Sequence, residues 1–243
     1  MGVSPAEPRF GEADLSNCER ELIHLSGSIQ PHGVLLVLSE PRFVVVQLSA
    51  NVDQMLGLAP DVLLGSPIEA LGFAAAEQVR ALAAEPSQVA PQPLRLVLET
   101  PRGRLSCSAM LHRPPAGGLI LELEEIVVAA RRRTTPALTQ RLTQTVTRLS
   151  AAHSIPALAD LVVRDMRDLI GYDRVMVYRF DADGHGEIIA EEKRDGLESF
   201  LHRHYPATDI PQRARELYLR NKVRLLVDAS YVPVPLVPRV NPT

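Results

Sequence analysis

The sequence predicts an α+β fold in two modules, with antiparallel sheets flanked by helices. Three features point there. Short β-rich runs, separated by turns that contain Gly or Pro, fill the first half of the chain. A glycine-free stretch, Ala129 to Ala152, then carries Leu138, Leu142, Val146 and Leu149 at helical spacing. Beyond it a helix, a strand, a tight turn and a returning strand follow in quick succession.

Composition sets the bounds. The 243 residues suffice for one large domain or two ordinary ones, and a hydrophobic content of 46% supports a packed core. A net charge of −3 gives no global attraction to nucleic acid or to an anionic membrane. The basic run Arg131-Arg132-Arg133 is short and reads as solvated helix surface. The start of the chain carries acids and prolines with no apolar segment, so no secretory signal is expected there. No uncharged stretch approaches the ~18–20 apolar residues of a membrane span. The expected setting is the cytoplasm, with neither nucleic acid nor membrane as partner.

In the first module, Gly33–Leu38 is an apolar run stopped by Ser39-Glu40-Pro41, the pattern of a buried strand. Phe43–Leu48 is β-rich and pairs with it as a hairpin. Asn51–Leu58 and Leu63–Leu71 read as short helical turns broken by Gly and Pro. Ala74–Ala84 has helix composition and ends before Pro86. Three more strands follow, at Leu94–Glu99, Arg104–Leu111 and Gly118–Glu125, joined by T-P-R-G and R-P-P-A-G-G turns.

The stretch 129–152 is expected to be a connecting helix whose leucine stripe packs on its own domain or against a second copy. In the second module Pro156 opens a helix that points Leu158, Leu161, Val162, Met166 and Leu169 inward and stops at Gly171. Arg174–Phe180 is a strand, Asp183-Gly184 a turn and Glu187–Glu192 the returning strand. A polar helix is expected around Leu197–His204, a loop over Pro206–Pro211, a helix over Gln212–Asn221 and a strand over Val223–Asp228. The last fifteen residues, with their four prolines, suggest no further element. The chain is expected to stop inside its second domain.

Four places stand out chemically. Cys18 lies in the polar stretch N-C-E-R-E-L, where nothing local would bury a structural cysteine. Cys107 alternates with Leu105 and Ala109 and reads as core. On the strand R-V-M-V-Y-R-F, alternation puts Met176, Tyr178 and Phe180 on one face, suited to a flat apolar ligand or to an ordinary core. The loop H-Y-P-A-T-D-I-P brackets Asp209 between prolines, so this residue either caps the next helix or is aimed at a ligand. Tyr218 follows on that helix. Arg224 faces solvent or holds a ligand carboxylate through paired hydrogen bonds. His202 and His204 read as surface residues rather than metal ligands.

The segment C-E-R-E-L-I-H-L-S-G-S-I-Q-P-H-G, the strand D-R-V-M-V-Y-R-F and the loop Y-P-A-T-D-I-P-Q-R-A-R-E-L-Y together resemble a bacterial phytochrome. They stand in the order of that family's amino-terminal PAS and GAF domains. The resemblance implies an amino-terminal extension over 1–18, a PAS domain over 19–126, a connecting helix over 127–152 and a GAF domain from 153 to 243 without its carboxyl-terminal part. It implies a red/far-red photoreceptor that holds biliverdin, a linear tetrapyrrole, in the GAF domain. Cys18 matches the cysteine that forms a thioether to the ring-A vinyl group.

The remaining pocket carries over residue by residue. Asp209 is expected near the pyrrole N–H groups and the ring-D network, with Tyr178 and Tyr205 beside ring D. Met176, Ile210 and Pro211 would pack the faces of the bilin, and Tyr218 and Arg224 would hold a propionate. Ile29 matches the point where the family's amino-terminal segment threads a GAF loop, a figure-of-eight knot in the complete protein. Cys107 does not match the GAF cysteine of plant and cyanobacterial relatives, which favours biliverdin over phycocyanobilin. The resemblance also implies a homodimer and an output domain or response-regulator partner. The family's PHY and histidine kinase domains have no counterpart in this chain, so no enzyme is expected. The competing reading is a PAS–GAF binding or dimerisation module without a chromophore. A catalytic reading finds no phosphate loop, nucleophile–base pair or paired carboxylates.

Overall fold

The computed structural model describes residues 23–85, 91–114, 117–126 and 135–242, and these fall into two compact units. Cys18, the basic run Arg131-Arg132-Arg133 and the start of the connecting stretch lie outside the described residues.

The unit built from residues 24–128 opens with β1 (Ser28–Ile29), β2 (Gly33–Ser39) and β3 (Val44–Ser49). Two short helices follow, α1 (Val52–Leu56) and α2 (Pro60–Leu63), then a 3-10 turn at Ile68–Leu71 and α3 (Phe73–Ala83). The remaining strands are β4 (Gln92–Thr100), β5 (Gly103–His112) and β6 (Leu119–Glu125). β2 to β6, α1 and α3 arise where the apolar runs and the helix composition predict them, whereas β1 and α2 carried no such signal. The core is aliphatic: Leu36 and Leu38 of β2, Leu96 and Leu98 of β4, Leu111 of β5 and Leu121 of β6 are fully buried with Ala76 and Val79 of α3. Alanines on α3 allow it to approach the sheet closely, which is what burying a short helix on a strand layer requires. Buried Asn51 donates from Nδ2 to the Gly33 carbonyl (2.9 Å), fixing the start of α1 against β2. Cys107 on β5 is wholly inaccessible, as its alternation predicts.

The second unit, within residues 129–222, contains α4 (Thr135–Ser150), α5 (Ile155–Ile170), β7 (Arg174–Phe180), β8 (Gly186–Lys193), β9 (His204–Tyr205), a 3-10 turn at Ala207–Asp209 and α6 (Gln212–Arg220). Ser154 caps α5 by accepting from the Ala157 amide (3.3 Å), and Gly171 closes it with φ of 75°, a conformation costly to any other residue. The face of α5 that meets the sheet differs from expectation. Ala159 and Val163 are its buried residues, packed on Val175, Val177 and Ala190, while Leu158 is exposed. Small side chains win that contact because they let the helix sit close to the strands. Arg148 of α4 forks onto both carboxylate oxygens of Asp165 on α5 (2.7 and 3.1 Å). The stripe Leu138, Leu142 and Val146 faces away from this contact and stays 42–61% exposed.

The expected polar helix over Leu197–His204 does not form; the chain makes turns there and then enters β9. Glu191 of β8 accepts from the Ser199 hydroxyl (2.6 Å) and the Phe200 amide (3.0 Å), and the Arg174 guanidinium lies 3.8 Å from the centre of the Phe200 ring. Those contacts override local helix propensity. Burial disfavours the charged form of Glu191, yet these donors and the Arg174 charge hold its carboxyl below the ordinary range.

After α6 the chain rejoins the first unit. Val223–Asp228 is not a strand, and the proline-rich tail, expected to hold no element, contains β10 (Val234–Val237). The first sheet is therefore seven-stranded and antiparallel, in the order β1-β10-β3-β2-β6-β5-β4, and the second is β7-β8-β9. Ile29 of β1 pairs with Val234 of β10. Gln30 explains the lost strand: its Nε2 donates to the Leu225 carbonyl (2.7 Å) and its Oε1 accepts from the Val227 amide (2.9 Å). One side-chain amide takes the two backbone groups that a neighbouring strand would have taken.

Candidate functional site: an aromatic face beside an aspartate turn

The site begins with the alternation of β7. Val175 and Val177 point to α5, so Met176, Tyr178 and Phe180 share the opposite face. That face is not core: Met176 and Phe180 each keep 40% of their surface exposed. A register shift after Val177 gives β8 one extra residue, and Ile189 joins Ala190 against α5.

Gly186 of β8 then stands opposite Phe180 on one side and Tyr205 of β9 on the other. The Tyr178 ring lies over this glycine so closely that a β-carbon there would overlap the ring. Three aromatic rings collect above Gly186: Tyr178 meets Phe180 edge-on at 5.0 Å between centroids and Tyr205 at 6.0 Å. Burial first, and then the Asp209 carboxylate, hold the Tyr178 phenol above its ordinary range, with the Arg215 charge opposing.

Asp209 ends the 3-10 turn that leads from β9 to α6, and its amide donates to the Pro206 carbonyl (3.1 Å). The capping alternative fails here. The cap position of α6 is Pro211, not Asp209, and it makes no side-chain cap bond. The carboxylate is left facing solvent near Tyr178. Ile210 and Pro211 are half-buried beside it, and Tyr218 is exposed on α6.

Within this unit the structure thus gathers Tyr178, Tyr205 and Asp209, with Met176 on the same strand face as Tyr178 and with Ile210, Pro211 and Tyr218 on the segment after the turn. It does not bring every expected residue into view. Arg224 is exposed, lies outside any strand and belongs to the segment that rejoins the other unit. Cys18 lies outside the described residues. His202 contacts Glu187 (3.2 Å) on the surface, and no cluster fit for a metal ion occurs among the described residues.

Two residues of the site went unmarked in the sequence. Gly186 had a signal, because a glycine inside a strand often marks a close approach. Arg215 had only its place one helical turn before Tyr218. Its Nε donates to the Ile210 carbonyl (2.8 Å), its Nη2 to the Ala207 carbonyl, and its guanidinium carbon lies 5.4 Å from the centre of the Phe180 ring.

Known proteins resemble the chain over nearly its whole length. A family model described as PAS fold matches residues 18–126. Cyanobacterial phytochrome B of Nostoc sp. is 39% identical over 235 residues, covering 95% of this chain and 31% of that protein. A bacteriophytochrome of Xanthomonas campestris pv. campestris is 38% identical over 236 residues, covering 94% of this chain and 35% of that protein. The chain therefore spans about a third of the length of these curated relatives. Among solved structures, the chromophore-binding domain of Stigmatella aurantiaca bacteriophytochrome superposes with a TM-score of 0.83 at 36% identity, over 90% of this chain and 72% of that one. The chromophore-binding domain of an unusual bacteriophytochrome from R. palustris gives 0.82 at 37% identity, over 93% and 72%. On these matches the chain belongs to the phytochrome family, with a PAS fold over residues 18–126 and likeness to bacteriophytochrome chromophore-binding domains over 90–93% of its length.

Proposed function

We propose that this chain is the bilin-holding part of a red/far-red photoreceptor and takes biliverdin through a covalent bond to Cys18. The observation that carries the reading is the open aromatic face over Gly186, set beside a turn that leaves the Asp209 carboxylate exposed. A flat, conjugated tetrapyrrole with N–H groups along one edge fits a half-exposed aromatic surface flanked by an acceptor. When bound, biliverdin supplies visible-light absorption and a double bond whose isomerisation carries the signal.

The chain's own residues have separate tasks in this reading. Met176, Ile210 and Pro211 exclude water from the ring faces. Tyr178 and Tyr205 would lie beside ring D, and Asp209 would offer its carbonyl to the pyrrole N–H groups and its carboxylate to the ring-D side. Tyr218 and Arg224 hold a propionate, Arg224 as a charge-assisted donor. Cys18 would hold the bilin covalently, its thiol adding across a vinyl double bond so that sulfur would take one carbon and the proton its neighbour. Nothing is oxidised or released. In this reading the chain is a cytoplasmic receptor part rather than an enzyme, divided into a PAS domain over 19–126 and a GAF domain from 153, and its amino-terminal segment threads at Ile29. It works as a homodimer and passes its signal to an output domain or response regulator.

A second reading, a dimerising module without a chromophore, draws on the exposed stripe Leu138, Leu142 and Val146 of α4. Adding biliverdin separates the two. A red absorption band and a zinc-fluorescent band after denaturing electrophoresis, both with wild type and the latter lost in Cys18→Ser, support the photoreceptor. No band with wild type, or a fluorescent band that persists in Cys18→Ser, overturns it.

A further inference from the structure

We propose that Arg215 is a positioning residue that aims Asp209, by holding the backbone turn on both sides of it. The proposal rests on the photoreceptor reading for its consequence, but its geometry stands alone. The 3-10 turn Ala207–Asp209 is only three residues long and is closed from the Asp209 amide to the Pro206 carbonyl. Such a short turn does not fix a side chain's direction. Arg215 supplies the missing restraint. Its guanidinium donates to the carbonyl of Ala207 ahead of Asp209 and to that of Ile210 after it.

The arginine is itself held from two further sides. It lies over the Phe180 ring, and it packs on Gly184, where φ is 81° and a β-carbon would overlap the guanidinium. The planar fork of an arginine suits this task, since it reaches two carbonyls at once with little further loss of freedom. A lysine has one donor group and cannot span them. Equally telling is what Arg215 does not bind. No ion pair joins it to Asp209 among the described residues, although both charges act on Tyr178. The cation is spent on the backbone, and the carboxylate stays available on the Tyr178 side. Arg215 thus couples the hairpin turn at Gly184, the aromatic face at Phe180 and the aspartate turn through one group.

The test uses Arg215→Ala, Arg215→Lys and, as a control, the exposed Arg220→Ala, each in the full chain. Hydrogen exchange of the peptide spanning 204–212 is read without bilin. Loss of the clamp should speed exchange of the Asp209 amide by about tenfold in Arg215→Ala, less in Arg215→Lys and not at all in Arg220→Ala. The same proteins are then loaded with biliverdin. The absorption band should shift or broaden in Arg215→Ala while zinc-fluorescent attachment stays at the wild-type level. Unchanged exchange in Arg215→Ala overturns the proposal whatever the bilin does. Faster exchange with an unaltered band also overturns it, because Asp209 would then be aimed by something else. If wild type takes up no biliverdin, the photoreceptor reading falls, and the exchange result still decides whether Arg215 holds the turn.

Discussion

The ring of Tyr178 rests on Gly186, the one position of β8 where no side chain separates the strand from the aromatic cluster. The contact sets the plane of the ring, and with it the shape of the face that Phe180 and Tyr205 complete. Gly186→Ala is therefore expected to swing Tyr178 out of its present rotamer. Overpacking of this kind costs typically ~1–3 kcal/mol, and the face is half-open, so the lower end is expected. Urea unfolding measures the loss, and the bilin absorption band reports the moved ring. A variant with wild-type stability and an unshifted band would show that Tyr178 does not depend on the glycine.

Asp209→His tests the turn itself. Attachment through Cys18 is expected to continue, since Asp209 is neither nucleophile nor helix cap. Photoconversion should fall and fluorescence rise, because the carboxylate beside Tyr178 is lost. Photocycling at the wild-type rate would remove Asp209 from the site.

Cys107 gives a pH prediction. Burial first, then the Glu125 charge, push its thiol from 9.0 up to about 11. A folded-state value above the unfolded one means that the folded protein holds the proton more tightly. The associated stability is present below pH 9 and is lost as pH rises towards 11. At pH 8 the thiolate is about one part in a thousand, so iodoacetamide should modify Cys107 only as fast as the domain opens. Rapid modification of the folded chain would contradict the buried position.

Gln30→Ala removes both bonds to the 225–227 segment. Each is worth roughly 1 kcal/mol, and the Val227 amide should exchange markedly faster with β2 and β3 still protected. Exchange at the wild-type rate would mean that the segment is held by other contacts.

Leu111→Ala probes the first core. This side chain is fully buried between β4 and β6, and its truncation should cost ~2–5 kcal/mol, read as a lower urea midpoint. A loss well under 1 kcal/mol would argue against the packing described.

Much of this was legible beforehand, for reasons that differ by element. Arg174–Phe180 was read to the residue because its two faces meet different surroundings, α5 on one side and the aromatic face on the other. The helix Ile155–Ile170 announced itself through Ser154, Pro156 and Gly171, yet its buried face was misjudged, since Ala159 carries little hydrophobic signal. The stretch 197–204 looked helical because nothing local reveals that Glu191 and Arg174 will seize Ser199 and Phe200. Val223–Asp228 reads as a strand because its composition is β-rich; its partner is a side chain nearly two hundred residues earlier. Of the site, the aromatics and Asp209 stood out by spacing and by their prolines. Arg215 did not, because a guanidinium that binds carbonyls leaves no pattern in the sequence.

The place of β10 in the first sheet has a consequence for biosynthesis. Its partners β1 and β3 are made before residue 50, and β10 itself only at residues 234–237. Throughout that interval the nascent sheet carries an open edge at β3, whose buried Leu48 and Ser49 await Val237 and Leu236. An unpaired edge invites pairing with another chain. Synthesis therefore places the window of greatest aggregation risk between completion of β6 and arrival of β10, and a ribosome that pauses in that window prolongs it.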